Sequence, residues 1–222
     1  SRFQTFTASA ADSSILSATT SAGAAAGSYS INVTSLAQQH AVATLGVASD
    51  TAPIGTGTLG LRVGSGALVS ITVDSGNNSL QGLRDAINAS AAGVTASIIN
   101  DGSASPYRLA LSAKTAGAAN TIQVTNNLAA GEFATALDNR TETQAARDAA
   151  LTVNGIAISS ASNTISSAMP GLTLNLQKTG ATTLNVARDS SAAQSAVAGF
   201  VKAYNDINST IVNLGKYDPA RS

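Results

Sequence analysis

Ser28-Tyr29-Ser30-Ile31-Asn32-Val33-Thr34 alternates polar and apolar residues without a break. Tyr29, Ile31 and Val33 point to one side of an extended chain, and Ser28, Ser30, Asn32 and Thr34 to the other. A period of two marks a half-buried β-strand. The same period returns on moving outward from this stretch. Leu59, Leu61 and Val63 alternate, then Val69, Ile71 and Val73, and Gly64-Ser65-Gly66 between them predicts a hairpin. Val94, Ala96 and Ile98 lead into a turn at Asn100-Asp101-Gly102, after which Tyr107, Leu109 and Leu111 resume. Ile122 and Val124 close this set. Val153-Asn154-Gly155-Ile156 is the strongest hairpin signal, because Asn-Gly tolerates the positive φ of a type I′ turn. Leu172, Leu174 and Leu176 alternate, Lys178-Thr179-Gly180 turns, and Thr182, Leu184 and Val186 alternate again. The chain reads as mainly β with a few helices.

The helices are where the period changes. Ser79 can cap a helix on which Leu80, Leu83 and Ile87 share one face, ending near Ala91-Ala92-Gly93. Residues 162–167, with Ile165, predict a helical turn broken by Met169-Pro170-Gly171. Residues 46–57 read as a loop. Residues 127–148 are poor in large apolar side chains and read as a linker or a partly helical connection. The run Thr19-Thr20-Ser21-Ala22-Gly23-Ala24-Ala25-Ala26 reads as a junction. The last element differs in kind. Asp189 or Ser190 caps a helix on which Val197, Phe200, Val201, Tyr204, Ile207, Ile211 and Leu214 form an a/d-like stripe, with Lys202, Asn205, Asp206 and Asn208 off it. Such a stripe is either an ordinary core-facing side or a surface between helices or subunits, and both readings stay open.

Composition removes several classes. The 222 residues allow one large domain or two of about 100 residues. Ala, Ser and Thr make up nearly half of them, and charged residues only 11%, against a usual share of about 25%. Lys and Arg exactly balance Asp and Glu at 12 each, so no basic excess exists to neutralise nucleic-acid phosphates. With no Cys there is no disulfide framework and no Cys-ligated metal. No apolar run approaches the ~18 residues of a membrane span, so no membrane insertion is expected. Ser1 to Phe6 lacks the apolar core of a signal peptide. The chain opens at Ser1 and closes at Pro219-Ala220-Arg221-Ser222 abruptly, which predicts a segment of something longer. Low charge, no Cys and small polar side chains fit an extracellular bacterial surface protein.

No catalytic constellation emerges, and no cofactor or metal is expected. His40 stands alone in Gln38-Gln39-His40 and reads as an exposed or strand-end histidine, with no second His or Cys to complete a triad or ligand set. Asp50, Asp74 and Asp85 are spread over different elements. Gly55-Thr56-Gly57-Thr58-Leu59-Gly60 matches a dinucleotide fingerprint only superficially, because it precedes a strand where the fingerprint follows one. The stripe is the sharpest interaction feature.

Several stretches resemble one family. Phe3-Gln4-Thr5-Phe6-Thr7 and Gly27-Ser28-Tyr29-Ser30-Ile31-Asn32-Val33-Thr34-Ser35-Leu36-Ala37-Gln38 look like the start of the head region of the flagellar hook-associated protein 2 (FliD) family, the filament caps. Ser79-Leu80-Gln81-Gly82-Leu83-Arg84-Asp85-Ala86-Ile87-Asn88 is similar to the family's head-domain helix, and Pro106 to Gly117 to the strand after it. Leu151-Thr152-Val153-Asn154-Gly155-Ile156 through Leu174 resembles a repeat shared with flagellins, and Phe200 to Asn208 the beginning of the leg helix.

The resemblance implies two β-rich head domains plus the start of a helical leg domain. Residues 1–6 would be a leg remnant, 7–26 with 145–188 the discontinuous inner head domain, 27–126 the inserted outer head domain, 127–144 a linker, and 189–222 the start of the leg helix. It implies a non-catalytic cap at the tip of the extracellular flagellar filament. Its partners would be copies of itself in a ring of five or six, flagellin whose folding and incorporation it promotes, hook-filament junction proteins and an export chaperone. The alternatives are an adhesin that binds host mucin or glycans, and another flagellar axial protein; an enzyme is a distant third.

Overall fold

The alternating runs become strands, and their apolar sides gather into two separate cores. A computed structural model describes residues 6–214, with the backbone alone at Ala192, Ala193, Asn213 and Leu214. It is mainly β with three helices among the described residues. Elements are numbered along the chain.

The first unit holds a five-stranded antiparallel sheet with the order β1 (Phe6–Ala10), β15 (Gly180–Arg188), β3 (Gly27–Ser35), β11 (Ala149–Val153) and β12 (Ile156–Ser160). A second sheet orders β13 (Thr164–Met169), β14 (Leu172–Leu176) and β2 (Leu16–Thr20). Ile31 and Val33 of β3 are buried with Leu16, Leu151, Leu174 and Leu184, as their alternation requires. Across the sheet Tyr29 faces Leu184, while Val33 faces Leu151. β11 and β12 form the hairpin that Asn154-Gly155 announces, with φ of 48° and 83° at these two residues. Asn154 Oδ1 also accepts the Ser30 amide at 2.8 Å, which pins the turn to β3.

The second unit is inserted between β3 and β11. One sheet orders β10 (Thr141–Gln144), β4 (Gln39–Ala43), β8 (Tyr107–Ala116) and β7 (Val94–Asn100). The other orders β6 (Val69–Val73), β5 (Gly57–Val63) and β9 (Ile122–Leu128). Helices α1 (Leu80–Ala89) and α2 (Glu132–Asp138) complete it. On α1 the Ser79 hydroxyl accepts the Gly82 amide at 3.0 Å, and Leu80, Leu83 and Ile87 are fully buried. Asn88 exchanges two hydrogen bonds with the backbone of Ala96, tying the helix to β7.

The structure corrects five expectations. β3 does not belong with residues 36–126: it pairs with β15 and β11 and lies in the first core. Alternation identifies a strand but not its partner. Phe6, expected in a leg remnant, pairs with Arg188 in the first unit; residues 1–5 lie outside the described residues. The stretch 127–144 is not a linker. β9 runs to Leu128, α2 buries Phe133, Ala134, Ala136 and Leu137 in the second core, and β10 pairs with β4. Its apolar content is low because half of the buried face is alanine. Residues 162–167 form no helical turn: 164–169 are strand β13, in which Ile165 is buried between exposed Thr164 and Ser166. α1 also ends at Ala89, four residues short of Gly93.

Leu137→Ala should destabilise the second unit by about 2–5 kcal/mol, as removal of a buried leucine does. A linker side chain would change stability by less than about 0.5 kcal/mol. Urea unfolding followed by amide signals from each unit separates the two outcomes.

Asp101, in the turn between β7 and β8, accepts from the Ser103 hydroxyl and amide and from Arg108 Nε at 2.6 Å, which lowers its pKa from 3.8 to about 2. The stability this turn gains is therefore present above pH 3.8 and is lost as pH falls through about 2. Carboxyl carbon NMR should show that midpoint, and Ser103→Ala should move it back toward 3.8.

Candidate functional site

Helix α3 (Ser191–Leu214) begins three residues after β15 ends. Asp189 Oδ1 accepts the Ser191 amide at 2.8 Å. The hydroxyl and amide of Ser191 hold the Asp189 carboxyl below the ordinary carboxylate range. The following turns are rich in alanine, the best helix former. At 1.5 Å per residue the helix is about 36 Å long.

The structure brings Val197, Phe200, Val201, Tyr204, Ile207 and Ile211 onto one side of α3. At 100° per residue they occupy an arc of about 120°. All six are exposed, from 50% at Val201 to 72% at Phe200. The side chain of Leu214 lies outside the described residues. Among the described residues no strand or other helix lies along α3. Polar contacts keep to the flank: Lys202 Nζ meets Asp206 at 2.8 Å, four residues on, and the Thr210 hydroxyl donates to the Asp206 carbonyl. Val212, 60% exposed, widens the stripe on the side of Val201. Its spacing of eleven residues from Val201 returns it to nearly the same face, a signal that the a/d reading passes over.

Full burial of a side chain of this size contributes about 1.5–3 kcal/mol. Six together are worth on the order of ten, enough to hold a helix against a complementary surface. The arrangement supports docking rather than bond chemistry.

The other candidate residues are not brought together. His40 sits near the start of β4, as its strand-end reading has it, but it is buried rather than exposed and is not at liberty. It lies on β4, 8% exposed, with Nδ1 accepting the Ile122 amide at 2.9 Å and Nε2 3.2 Å from Glu142. Its two nitrogens tie β4 to β9 and β10. Asp50, Asp74 and Asp85 stay apart, and no group of three or more His, Asp or Glu converges among the described residues. Gly55 to Gly60 leads into β5 and opens no helix. No helix among the described residues is long and apolar enough to cross a membrane.

Comparison with known proteins bears on this architecture directly. The model of the flagellar hook-associated protein 2 N-terminus matches residues 1–40, and that of its C-terminus residues 146–221. The crystal structure of the D2-D3 domains of the flagellar cap protein FliD from Escherichia coli is 33% identical, with a TM-score of 0.70, and is covered over 100% of its length by 83% of this chain. The chain belongs to the flagellar hook-associated protein 2 family.

The FliD structure from Pseudomonas aeruginosa is 32% identical with a TM-score of 0.75, over 92% of this chain and 98% of that one. Among curated family members, the Escherichia coli protein is 40% identical over 224 residues, 95% of this chain and 48% of its own length. The B-type protein of Pseudomonas aeruginosa is 35% identical over 232 residues, 94% of this chain and 48% of its own length. The chain thus spans about half the length of the curated relatives it matches. The flagellin hook IN motif matches residues 55–115. That flagellin motif lies in the second unit, over β5, β6, α1, β7 and most of β8.

Because the stripe touches neither β unit, Phe200→Ser and Ile207→Ser should each change the urea midpoints of both units by less than the equivalent of about 0.5 kcal/mol. A larger shift would mean that α3 packs on the head.

Proposed function

We propose that the chain is the head and the beginning of the leg of a cap at the distal end of the bacterial flagellar filament, outside the cell. The first β unit is the inner head, built from residues 6–37 and 147–188. The inserted second unit, residues 38–146, is the outer head, and α3 starts the leg. The observation that carries this reading is a pair of internally satisfied β units that runs into a helix with a long apolar stripe, in a chain of the FliD family.

In this reading the protein makes and breaks no bonds. Copies assemble into a ring of five or six by head-to-tail contacts that close. The stripe Val197, Phe200, Val201, Tyr204, Ile207, Ile211 and Leu214 packs against a helix from the rest of the longer protein or from a neighbouring copy. The ring shields exported flagellin while it folds and inserts, and it meets the hook-filament junction proteins below. Before secretion an export chaperone covers the chain. The Ala, Ser and Thr composition suits surfaces that must slide and repack, since short side chains lose little rotamer freedom at each new contact.

Immunogold electron microscopy with antibody against this chain tests the proposal. Gold is expected at the far ends of filaments. Gold along the whole filament would make it a flagellin-like subunit, and gold on the cell body alone would favour an adhesin. The full-length protein carrying Phe200→Ala with Tyr204→Ala should keep its folded head and lose filament growth; normal motility would remove the stripe from the mechanism.

A further inference from the structure

The chain passes from the first unit to the second at Gln38 and returns at Arg147, and the two crossings lie side by side. The Gln38 amide donates to the Arg147 carbonyl at 2.8 Å, and the Arg147 amide donates back to Gln38 at 3.2 Å. Just below, Asn163 fixes Ala37 to the first unit with one bond to its amide and one to its carbonyl, of 2.7 and 3.0 Å. Among the described residues no strand or helix of one unit lies along an element of the other. A junction with so few contacts leaves relative motion as the default, and two antiparallel crossings with one bridge between them set an axis about which it occurs.

Contacts at the end of β8 oppose the motion, beginning with Ala116, which packs against the first core. The turn after β8 reaches across to the first unit. Gly117 donates to the Gln38 carbonyl of its own unit at 3.2 Å, and across the junction the Ala118 amide donates to Asp148 Oδ1 at 2.7 Å. Gly117 is buried at φ +110°, and a Cβ placed on it would come within 2.6 Å of the Ala161 Cβ. Only glycine permits both that backbone and that approach. An open groove between Lys114-Thr115-Ala116 and Ala161 to Thr164 flanks the contact, so nothing else fills the angle there.

We propose that the Gln38–Arg147 crossing is a hinge and that the contact of Gly117 and Ala118 with Ala161 and Asp148 is its latch. Closed, the latch makes the two units one arm of fixed angle. Released, it lets the second unit swing away from the first without unfolding either core. The latch consists of one charge-assisted hydrogen bond in water and van der Waals contacts of small groups, Gly117 on Ala161 and Ala116 on the edge of the first core, so its release does not need a large force.

The chain contains no cysteine, so Ser13→Cys and Ala104→Cys, both at exposed positions, accept one spin label on each unit. Pulsed dipolar spectroscopy should give one narrow distance population. Gly117→Ala would strain its own turn, so the latch is tested from the other side. Asp148→Ala removes the acceptor, and Ala161→Val overfills the contact from the first unit's side. Both variants release the contact from the first unit's side and leave residue 117 a glycine, so each should broaden or lengthen the distance distribution and speed Ala118 amide exchange at least tenfold. Amide exchange at Leu111 and Leu151, inside the two cores, should stay at the parent rate. A distribution already broad in the parent, or one unchanged in both variants, would overturn the latch.

Discussion

The pairing of β3 with β15 on one side and β11 on the other is the constraint on which the rest depends. Both partners lie more than a hundred residues further along the chain. The first sheet cannot close until the whole of the second unit has been made and its ends brought together. That gives the inserted unit a requirement of its own: residues 38 and 147 must emerge next to each other, which the Gln38–Arg147 bridge shows they do. Closing so long a loop is slow, and contacts of this kind set folding speed through loop entropy. The second unit pairs within itself, so its core can form first and deliver β11 to β3.

The same sheet explains how α3 is held. β15 is hydrogen-bonded on both edges, to β1 and β3, and β1 stays paired up to Phe6 opposite Arg188. The strand is therefore pinned to its last residue, and the helix rises from a fixed base after the Asp189 cap. The described chain enters the sheet at Phe6 where it leaves at Arg188. A load on the helix reaches the five-stranded sheet along the backbone of an interior strand, not through a peripheral loop.

Much of this was legible because strands and helices differ in period. Tyr29 to Val33, Leu59 to Val63 and the Leu80, Leu83, Ile87 face declare their elements locally, and Ser79 and Asn154-Gly155 declare their ends. What the sequence withholds is partnership. The alternation of β3 is equally compatible with either core, and only the register of distant strands decides. α2 hides because Ala134 and Ala136 bury as well as leucine while carrying little apolar signal. β13 hides because Ile165 is its one fully buried residue and a register shift before Met169 breaks the alternation, so no period can be read from it. His40 hides for another reason. Its environment is made by the backbone of Ile122 and the carboxylate of Glu142, which come from other strands. The stripe on α3 was legible because an apolar helix face needs no partner within the chain to be recognised.

That stripe stands out further against how the two β units are finished. Among the described residues no buried side-chain nitrogen or oxygen lacks a partner. The large exposed apolar residues on the β units are Leu45, Leu68, Ile99 and Ile156, single side chains on separate elements. Isolated residues of that kind are ordinary on any surface. On α3 seven such residues, Val197 through Val212, share one helix. A chain that satisfies its polar atoms this fully and scatters its other exposed apolar side chains has not left a continuous stripe by poor packing. Nor would isolated helix propensity keep 24 residues helical with certainty in water, since most helical stability comes from burying an apolar face. The helix is thus an element whose own stability calls for a surface beyond the two β units described.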